Sequence, residues 1–252
     1  MTHRNKNEAS PPVSNNPPGT TITGKLRFLV RSFLDMQVAS VYRHLRPWLK
    51  EQSGTLLEVG CGAQPYRHLV PLSCRYTGLD WEEAEAHFNY HLPDTVYYSG
   101  GRFPFDDSTF DSLFHTEVLE HIYHAGVFLA ECRRVLKPSG TMFFTVPFQA
   151  RYHYIPHDYF RYTPAALEKV LAEAGFKRIE IRPRGSDITV AAYKNMSVLY
   201  RWLRSGLAGM TAGILLFPLA LPVLIVGWLS LRLSVGSNDD CLGYTVTAKT
   251  DA

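Results

Sequence analysis

Two glycines set one residue apart follow an apolar run in the first quarter of the chain. The run Leu56–Val59 has the composition of a buried parallel strand, and Gly60 and Gly62 come directly after it. Glycines let the backbone turn sharply and come close to a ligand, because no Cβ stands in the way. Glu58, near the carboxyl end of the strand, can accept hydrogen bonds from a cationic or hydroxylated ligand. The pattern predicts a ligand-binding loop without identifying the ligand.

A carboxylate follows the next apolar segment at a spacing that fits a nucleotide. Residues 75–80 read as a second strand that ends at Asp80. Asp80 lies about twenty residues beyond the glycines, where a second strand brings an acid to ribose hydroxyls. Trp81 offers a flat surface for an adenine ring. The alternative, an acid in a surface loop, accounts less well for the two motifs at this spacing.

The rest of the chain alternates between the periods of strands and helices. This alternation predicts an α/β fold, a Rossmann-like doubly wound sheet with its ligand at the carboxyl ends of the strands. The expected strands are 95–98, 112–115, 141–146 and 176–182, and the expected helices are 117–136 and 164–174.

Composition sets limits on the class of protein. A chain of 252 residues that is 46% hydrophobic can bury the core of one large domain. A net charge of +3 is too small to argue for nucleic acid as a partner. The four cysteines form no CxxC pair, which suits a reducing compartment. The first ten residues are polar and predict no secretory signal.

The amino-terminal fifty residues divide into two parts. Residues 1–21 are rich in Pro, Ser, Asn and Thr and predict a disordered tail. Residues 22–50 show a helical period of apolar positions with basic residues between them. This amphipathic helix either packs on the domain, which the pattern favours, or lies on an anionic membrane surface.

Five motifs occur along the chain: Glu58-x-Gly60-Cys61-Gly62, Gly78-Leu79-Asp80, Phe103-Pro104-Phe105 with Phe110-Asp111, Glu117-Val118-Leu119-Glu120-His121 and Arg134-Val135-Leu136-Lys137-Pro138-Ser139-Gly140. Together they resemble the class I S-adenosylmethionine-dependent methyltransferases, of the methyltransferase type 11 kind. The variant Gly62-x-x-Pro65-Tyr66-Arg67 and the segment 157–163 resemble a bacterial subgroup linked to surface-glycan biosynthesis. The resemblance implies a seven-stranded sheet with a core at 51–184 and an antiparallel last strand at 242–252. The helical, apolar segment at 185–241 would then be an insertion between strands six and seven.

The resemblance also implies S-adenosyl-L-methionine as the cofactor. The first loop would face the methionine part, Asp80 the ribose, and Trp81 the adenine, while the end of the fourth strand would line the pocket beside the methyl group. Two departures concern this site: Gln64 stands where many members have a third glycine, and no acid follows the third strand to reach the adenine amino group. The implied cofactor residues are Glu58, Gly60, Cys61, Gly62, Asp80, Trp81, His115 and Thr116.

The acceptor side of the predicted site is rich in histidine. A hydroxyl acceptor loses a proton during methyl transfer, so a nearby base is needed. His157, in the loop after the fifth strand, is the first candidate, and His121 and His115 are others. Alternatively, His157 and the following acid only cap this loop. The residues expected to bind a polyhydroxylated or anionic acceptor are Asp158, Arg161 and Tyr162.

A metal ion is the less favoured reading of the segment that follows the fourth strand. Some family members, including quinone and RNA-end methyltransferases, use a Glu-x-x-Glu-His set with a later histidine to bind magnesium. Here the set would be Glu117, Glu120 and His121. Other members with the same motif need no metal, and acidic residues at a helix start complement its dipole. The sequence therefore predicts no metal.

Residues 206–231 contain no charged side chain and are long enough to cross a bilayer. A single crossing would separate the last strand from the sheet that it must join. Pro218 and Pro222 therefore predict a break into two short helices, forming an apolar hairpin in or on a membrane. Arg201, Arg204 and Arg232 flank the segment, as cytoplasmic ends require. The alternative is a buried helical pair.

The functional hypothesis follows from these parts. The sequence predicts a methyltransferase at the cytoplasmic face of a membrane that O-methylates a membrane-associated saccharide or lipid-linked glycan precursor. One alternative is a quinone or prenyl-lipid methyltransferase. Another is a membrane-tethered protein that binds S-adenosylmethionine without catalysis.

Overall fold

The computed structural model describes residues 15–19, 21–83 and 91–251. Most of the predicted tail at 1–21 therefore lies outside the described residues. The described chain falls into two units, one containing residues 44–182 and 244–251 and the other containing residues 21–43 and 183–243.

The first unit is built on a seven-stranded sheet in the order β3-β2-β1-β4-β5-β7-β6. The order confirms the predicted Rossmann-like fold, with an antiparallel last strand inserted between the fifth and sixth. The strands are β1 Gly54–Val59, β2 Cys74–Trp81, β3 Thr95–Tyr98, β4 Phe110–Thr116, β5 Leu136–Pro147, β6 Lys177–Arg184 and β7 Gly243–Lys249. The helices between them are α3 Ala125–Val135 and α4 Pro164–Glu173.

The parallel register brings the carboxyl ends of three strands to one edge of the sheet. Glu58 on β1 lies beside Gly78 on β2 and Phe114 on β4. Leu56 and Leu57 are completely buried, as expected for a strand covered on both faces. The segments that follow β1, β2 and β4 therefore meet at one edge, and the candidate site lies there.

The predicted helix at 117–136 is wrong in its first two turns. Glu117 has a left-handed backbone (φ 53°), and its N–H donates to Thr145 O at 2.9 Å, which extends the contact of β4 with β5. A short 3-10 turn at Leu119–His121 follows, and α3 begins only at Ala125. The physical reason is that the chain must reverse sharply after β4 before a helix can cover the sheet. The Glu117-x-x-Glu120 spacing is therefore not helical.

The second unit is helical. Its elements are α1 Ile22–Leu34, the first part of α2 Met36–Lys50, α5 Asp187–Leu203 and α6 Leu207–Leu233. The single helix predicted at 22–50 is interrupted at Asp35, whose Oδ1 accepts hydrogen bonds from the N–H groups of Gln37 and Val38 at 3.1 and 3.2 Å. Asp35 therefore caps the start of α2.

The prediction that residues 206–231 form a hairpin of two short helices, with the turn at the prolines, is wrong. Residues Leu207–Leu233 form one helix, α6, with Pro218 and Pro222 inside it. The reversal lies instead between α5 and α6. Ser186 before α5 bonds Ser230 near the end of α6 at 2.7 Å, so the two helices run antiparallel.

Packing of α6 against α5 explains why the prolines do not end the helix. Most helical stability in proteins comes from such packing, which offsets the hydrogen bonds that proline removes. Small residues, Gly213, Ala220 and Gly227, recur every seven positions on the buried face of α6. A Cβ at Gly227 would lie 2.4 Å from that of Ala192 on α5, so the helices approach too closely for a larger residue.

Candidate cofactor and acceptor site

The glycine loop after β1 has the backbone that its sequence predicts. Gly60 and Gly62 have φ values of 65° and 54°, which favour glycine. A Cβ at Gly60 would lie 2.6 Å from Val118 Cγ2, so the loop also passes too close to the segment after β4 for a side chain. The N–H of Gly60 donates to Leu79 O at 2.8 Å and ties the loop to β2.

Asp80 lies next to this loop, as its spacing predicts. Its Oδ2 accepts a hydrogen bond from the N–H of Gly62 at 3.0 Å, and its Oδ1 accepts one from the N–H of Trp81 at 2.8 Å. The carboxylate is largely buried. Two backbone donors therefore fix its position beside the glycines, where a ribose is expected to bind.

Glu58 is the buried acid under the loop. The Tyr76 hydroxyl donates a hydrogen bond to its carboxyl group, and the residue is 2% exposed. Burial, and to a smaller extent the nearby Asp80, raises the pKa of Glu58 to about 8. The carboxyl group is therefore largely protonated at neutral pH, and a cationic ligand group beside it would favour its ionised form.

Gln64, at the position of the missing third glycine, has a role that the sequence did not reveal. Its Nε2 donates to Thr95 Oγ1 on β3 at 3.0 Å, and its Oε1 accepts from Arg67 at 2.8 Å. Its backbone is left-handed (φ 53°), the conformation that a glycine would otherwise supply. The side chain thus anchors the loop to the strand beyond β2. The sequence signal for this anchoring role was a glutamine at a position where many family members have glycine.

His115 lies in the core of the first unit. The ring is completely buried in the core, stacked on Phe144 at 4.6 Å and edge-on to Phe128 at 5.3 Å. Burial lowers its pKa to about 3. The structure therefore gives no support to His115 as a base. Thr116, the other residue expected here to line the cofactor pocket, is the last residue of β4.

His157, the preferred candidate base, lies near the predicted adenine residue. Its ring contacts Trp81 edge-on at 5.7 Å and Tyr154 at 5.4 Å, and its Nδ1 lies 3.2 Å from the Tyr159 hydroxyl. His157 is partly exposed. The loop after β5 therefore reaches the end of β2 and closes one side of the candidate site.

Asp158 and Arg161 bind one another. Both guanidinium NH2 groups of Arg161 donate to the Asp158 carboxylate, at 2.6 and 2.7 Å, and His153 Nδ1 lies 3.1 Å from it. Burial opposes ionisation of Asp158, but these hydrogen bonds prevail and hold its pKa below the usual range. Tyr162 is 7% exposed. This arrangement favours a role in shaping the loop over direct binding of an acceptor.

Glu117, Glu120 and His121, the ligand set of the less favoured metal reading, do not form one group with all their ligand atoms within 4.8 Å of one another. Among the described residues, the group whose ligand atoms lie within 4.8 Å of one another is Glu120, His121 and His153. His121 is also held to the loop after β5, because its Nδ1 lies 2.8 Å from His157 O. Burial, and then the nearby His153, lowers the pKa of His121 to about 4, so its imidazole is neutral at pH 7.

Comparison with known proteins identifies a methyltransferase domain in this chain. Residues 57–144 match the family model of the methyltransferase domain. The chain is 32% identical over 96 residues to a probable S-adenosylmethionine-dependent methyltransferase of Mycolicibacterium smegmatis, covering 36% of this chain and 37% of that protein. It is 29% identical over 153 residues to a fatty-acid O-methyltransferase of the same species, covering 57% and 52%.

A third relative is phthiotriol/phenolphthiotriol dimycocerosates methyltransferase 1 of Mycobacterium ulcerans. It is 35% identical over 100 residues, which cover 36% of each chain. The chain thus spans between about a third and about a half of the length of these curated relatives.

Solved structures show the same fold. A methyltransferase of Archaeoglobus fulgidus has a TM-score of 0.53 at 14% identity, covering 89% of this chain and 99% of that one. The [4+2]-cyclase SpnF has the same TM-score at 18% identity, covering 95% and 99%. These structures are less than 25% identical to this chain and show the fold alone. The matched family model shows a methyltransferase domain within residues 57–144, and the methyl donor that it and the relatives indicate is S-adenosylmethionine.

Proposed function

We propose that the protein transfers the methyl group of S-adenosylmethionine to an oxygen of a lipid-bearing acceptor at a membrane surface. The observation that carries the cofactor part is the contact between Asp80 and the N–H of Gly62, with Glu58 buried at the end of the adjoining strand. A ribose and a cationic methionine end fit these two acids. Their residue-by-residue roles remain part of the proposal.

The loop after β5, which carries His157, supports methyl transfer over cofactor binding alone. Transfer from a sulfonium is an in-line displacement, so alignment and exclusion of water can supply much of the catalysis. His157 on this loop lies against Trp81 and is the base that we propose for a hydroxyl acceptor. The similar fold of a cyclase is a reminder that fold alone does not establish methyl transfer.

The names of the relatives favour a lipid as the acceptor class. One relative is named for methylation of fatty acids and another for phthiotriol dimycocerosates. A lipid-linked saccharide, the acceptor expected from the sequence, and a quinone or prenyl lipid share a hydroxyl joined to an apolar chain. That shared chemistry is what we propose for this protein.

The second unit supports delivery of the acceptor at a membrane. Helix α6 has 27 residues and is long and apolar enough to cross a membrane. In its most apolar stretch of 18 residues, only 28% of the residues are buried. Several of its large apolar side chains are more than half exposed, among them Leu215, Leu219 and Val226. Arg204 precedes the helix, and Arg232 lies in its last turn. We propose that the α5–α6 pair lies in the cytoplasmic interface of a membrane, with basic residues at the headgroups.

The activity is tested by supplying methyl-labelled S-adenosylmethionine and membrane extract to the purified full chain. Labelled product is expected in the lipid-extractable fraction, and chromatography then separates glycolipid, quinone and fatty-acyl products. Asp80→Ala should abolish incorporation at a low cofactor concentration. Cofactor binding without any labelled lipid or glycan would favour the non-catalytic alternative.

Membrane binding is tested separately by flotation with anionic phospholipid vesicles. The variant Leu215→Asp/Leu219→Asp/Val226→Asp places charges on one exposed stripe of α6 and is expected to remain unbound. Val127→Asp, on an exposed position of α3, is the matched control and should float with the vesicles as the unmodified chain does. If the triple variant still floats, α6 is not the anchor, and α1 becomes the next segment to test.

A further inference from the structure

Four aromatic rings form a strip beside the candidate cofactor site. They belong to Tyr123, after the turn that follows β4, and to His157, Tyr159 and Phe160, in the loop after β5. The Tyr159 ring centroid lies 6.4 Å from that of His157 and 5.3 Å from that of Tyr123. Tyr123 is in turn stacked on Phe160 at 6.3 Å. His157 also contacts Trp81, so this aromatic strip begins at the predicted adenine residue and continues from ring to ring.

The aromatic strip is exposed although its rings are large and mostly apolar. Tyr123 is 63% exposed and Tyr159 is 41% exposed. Single exposed apolar side chains are common, but contiguous exposed apolar surface with polar groups around it is typical of a binding site. A ligand that covered these rings would remove apolar area from water, which favours association. The exposure of neighbouring rings therefore indicates a surface that binds a ligand.

Hydrogen bonds hold the rings of the aromatic strip in place. The N–H groups of Tyr159 and Phe160 both donate to Glu120 O, at 2.9 and 3.3 Å, and so join the loop after β5 to the turn after β4. The Tyr159 hydroxyl lies 3.2 Å from His157 Nδ1, which fixes the orientation of the tyrosine ring. A site whose side chains are already ordered loses less conformational entropy on binding. The strip is therefore organised before a ligand binds.

The chemistry of the aromatic strip favours a neutral ligand that has both apolar faces and hydroxyl groups. Tyrosine supplies a flat ring against which C–H groups pack, and a hydroxyl that donates and accepts hydrogen bonds. Two charged residues of the same loop, Asp158 and Arg161, bind each other at 2.6 and 2.7 Å, so their charges offset one another. An acyl chain would use the rings alone, whereas a sugar ring uses the rings and the hydroxyls.

We propose that the aromatic strip binds a neutral saccharide, with a sugar ring packed against Tyr123 and Tyr159. Because the strip begins at His157, the bound sugar would lie beside the base proposed for methyl transfer. That this sugar is part of the methyl acceptor rests on the proposed function, whereas its binding to the strip does not. The proposal moves the saccharide contacts from Asp158 and Arg161, which the sequence suggested, to the exposed tyrosines.

The test is saturation-transfer NMR of the purified full chain with the methyl and octyl glycosides of glucose, galactose and mannose, and with octanol. At least one sugar is expected to receive saturation at its ring C–H protons, and more strongly as the octyl glycoside if the natural ligand is lipid-linked. Tyr123→Ala and Tyr159→Ala should each weaken this binding by about fivefold to tenfold. Tyr200→Ala is the matched control, because Tyr200 is 49% exposed on α5, outside the strip, and should leave sugar binding unchanged.

Two outcomes would overturn the proposal. One is that no glycoside receives saturation, including the case in which octanol alone binds, which would assign the strip to an apolar chain. The other is sugar binding that is equally strong in Tyr123→Ala, Tyr159→Ala and Tyr200→Ala. These measurements require no methyl transfer, so a failure of the strip is distinguishable from a failure of the proposed function. Calorimetry of S-adenosylmethionine on the same variants shows whether they remain folded.

Discussion

Glu58 and Glu120 are both buried glutamates, one on β1 and the other in the short turn that follows the neighbouring strand β4. Glu58, on β1, has the Tyr76 hydroxyl as a partner, whereas both carboxyl oxygens of Glu120, after β4, lack a hydrogen bond among the described residues. The first acid is satisfied by the fold itself. The second is held in place by its backbone with its side chain unpaired. The difference separates a buried acid that already has its hydrogen-bond partner from one whose carboxyl group has none among the described residues.

The largest expected effect is the dependence of the free energy of unfolding on pH that Glu58 causes. The folded chain keeps a proton on Glu58 up to about pH 8, whereas the unfolded chain releases it near pH 4.5. This contribution to stability is present in full below pH 4.5 and is lost as the pH rises toward 8. The free energy of unfolding should therefore fall by up to about 1.4 kcal/mol per pH unit in that window.

Urea denaturation at pH 5, 6.5 and 8 measures this slope. Glu58→Gln should show a shallower decline, because its side chain does not titrate. Glu51→Gln, at an exposed position, serves as the control and should keep the slope of the unmodified chain. Equal slopes for Glu58→Gln and the unmodified chain would place the proton elsewhere.

Asp80→Ala tests whether the acid next to Glu58, at the end of β2, binds the cofactor. The change removes the acceptor for two backbone N–H groups and for the ribose hydroxyls that we expect there. Affinity for S-adenosylmethionine should fall by about thirtyfold to a hundredfold, which corresponds to about 2–3 kcal/mol. Titration calorimetry measures it, with Asp106→Ala in an exposed loop as the control. An unchanged dissociation constant would rule out the ribose assignment.

Tyr76→Phe removes the hydrogen-bond partner of Glu58, so that Glu58 becomes a buried acid without a partner, as Glu120 is. The variant loses the hydroxyl that donates to Glu58 and leaves a buried carboxyl unpaired. A loss of about 2 kcal/mol in the free energy of unfolding is expected. Tyr152→Phe, where the ring is 58% exposed, should change stability by less than about 0.5 kcal/mol. Similar values for both variants would contradict the view that Glu58 depends on its partner.

Glu120→Leu has the smallest expected effect, and it has the opposite sign. Since the Glu120 side chain has no hydrogen bond to lose among the described residues, an apolar replacement should leave stability unchanged or raise it by about 1 kcal/mol. Urea denaturation of the variant and the unmodified chain measures this. A loss comparable to that of Tyr76→Phe would mean that Glu120 already has a stabilising partner, and the contrast with Glu58 would disappear.

Local pattern and spacing predicted the parts of the fold that depend on nearby residues. The glycine loop and Asp80 were found because the turn and the second strand have a fixed separation. The place of β7 in the sheet followed from the family resemblance. Helix α4 also agrees with its prediction, since Thr163 and Pro164 mark its start locally.

The features that sequence reasoning missed depend on contacts between distant segments. The reversed backbone at Glu117 depends on a hydrogen bond to β5, and the continuity of α6 depends on packing against α5. His153 joins Glu120 and His121 only because the loop after β5 folds back over the turn after β4. Asp158 and Arg161 looked available to an acceptor because nothing in their spacing shows that they bind each other.

The α5–α6 pair begins and ends at nearly the same point. Ser186 Oγ donates to Val235 O at 2.8 Å, and the N–H of Asp187 donates to Ser237 O at 3.0 Å. A segment closed in this way is interchangeable in principle: a short bridge from Ser186 to Ser237 could replace it without stretching the chain between β6 and β7. The chain path therefore allows the pair to be replaced by such a bridge, although this would uncover Met36 and Leu242, which share a buried cluster with Val190 and Leu224.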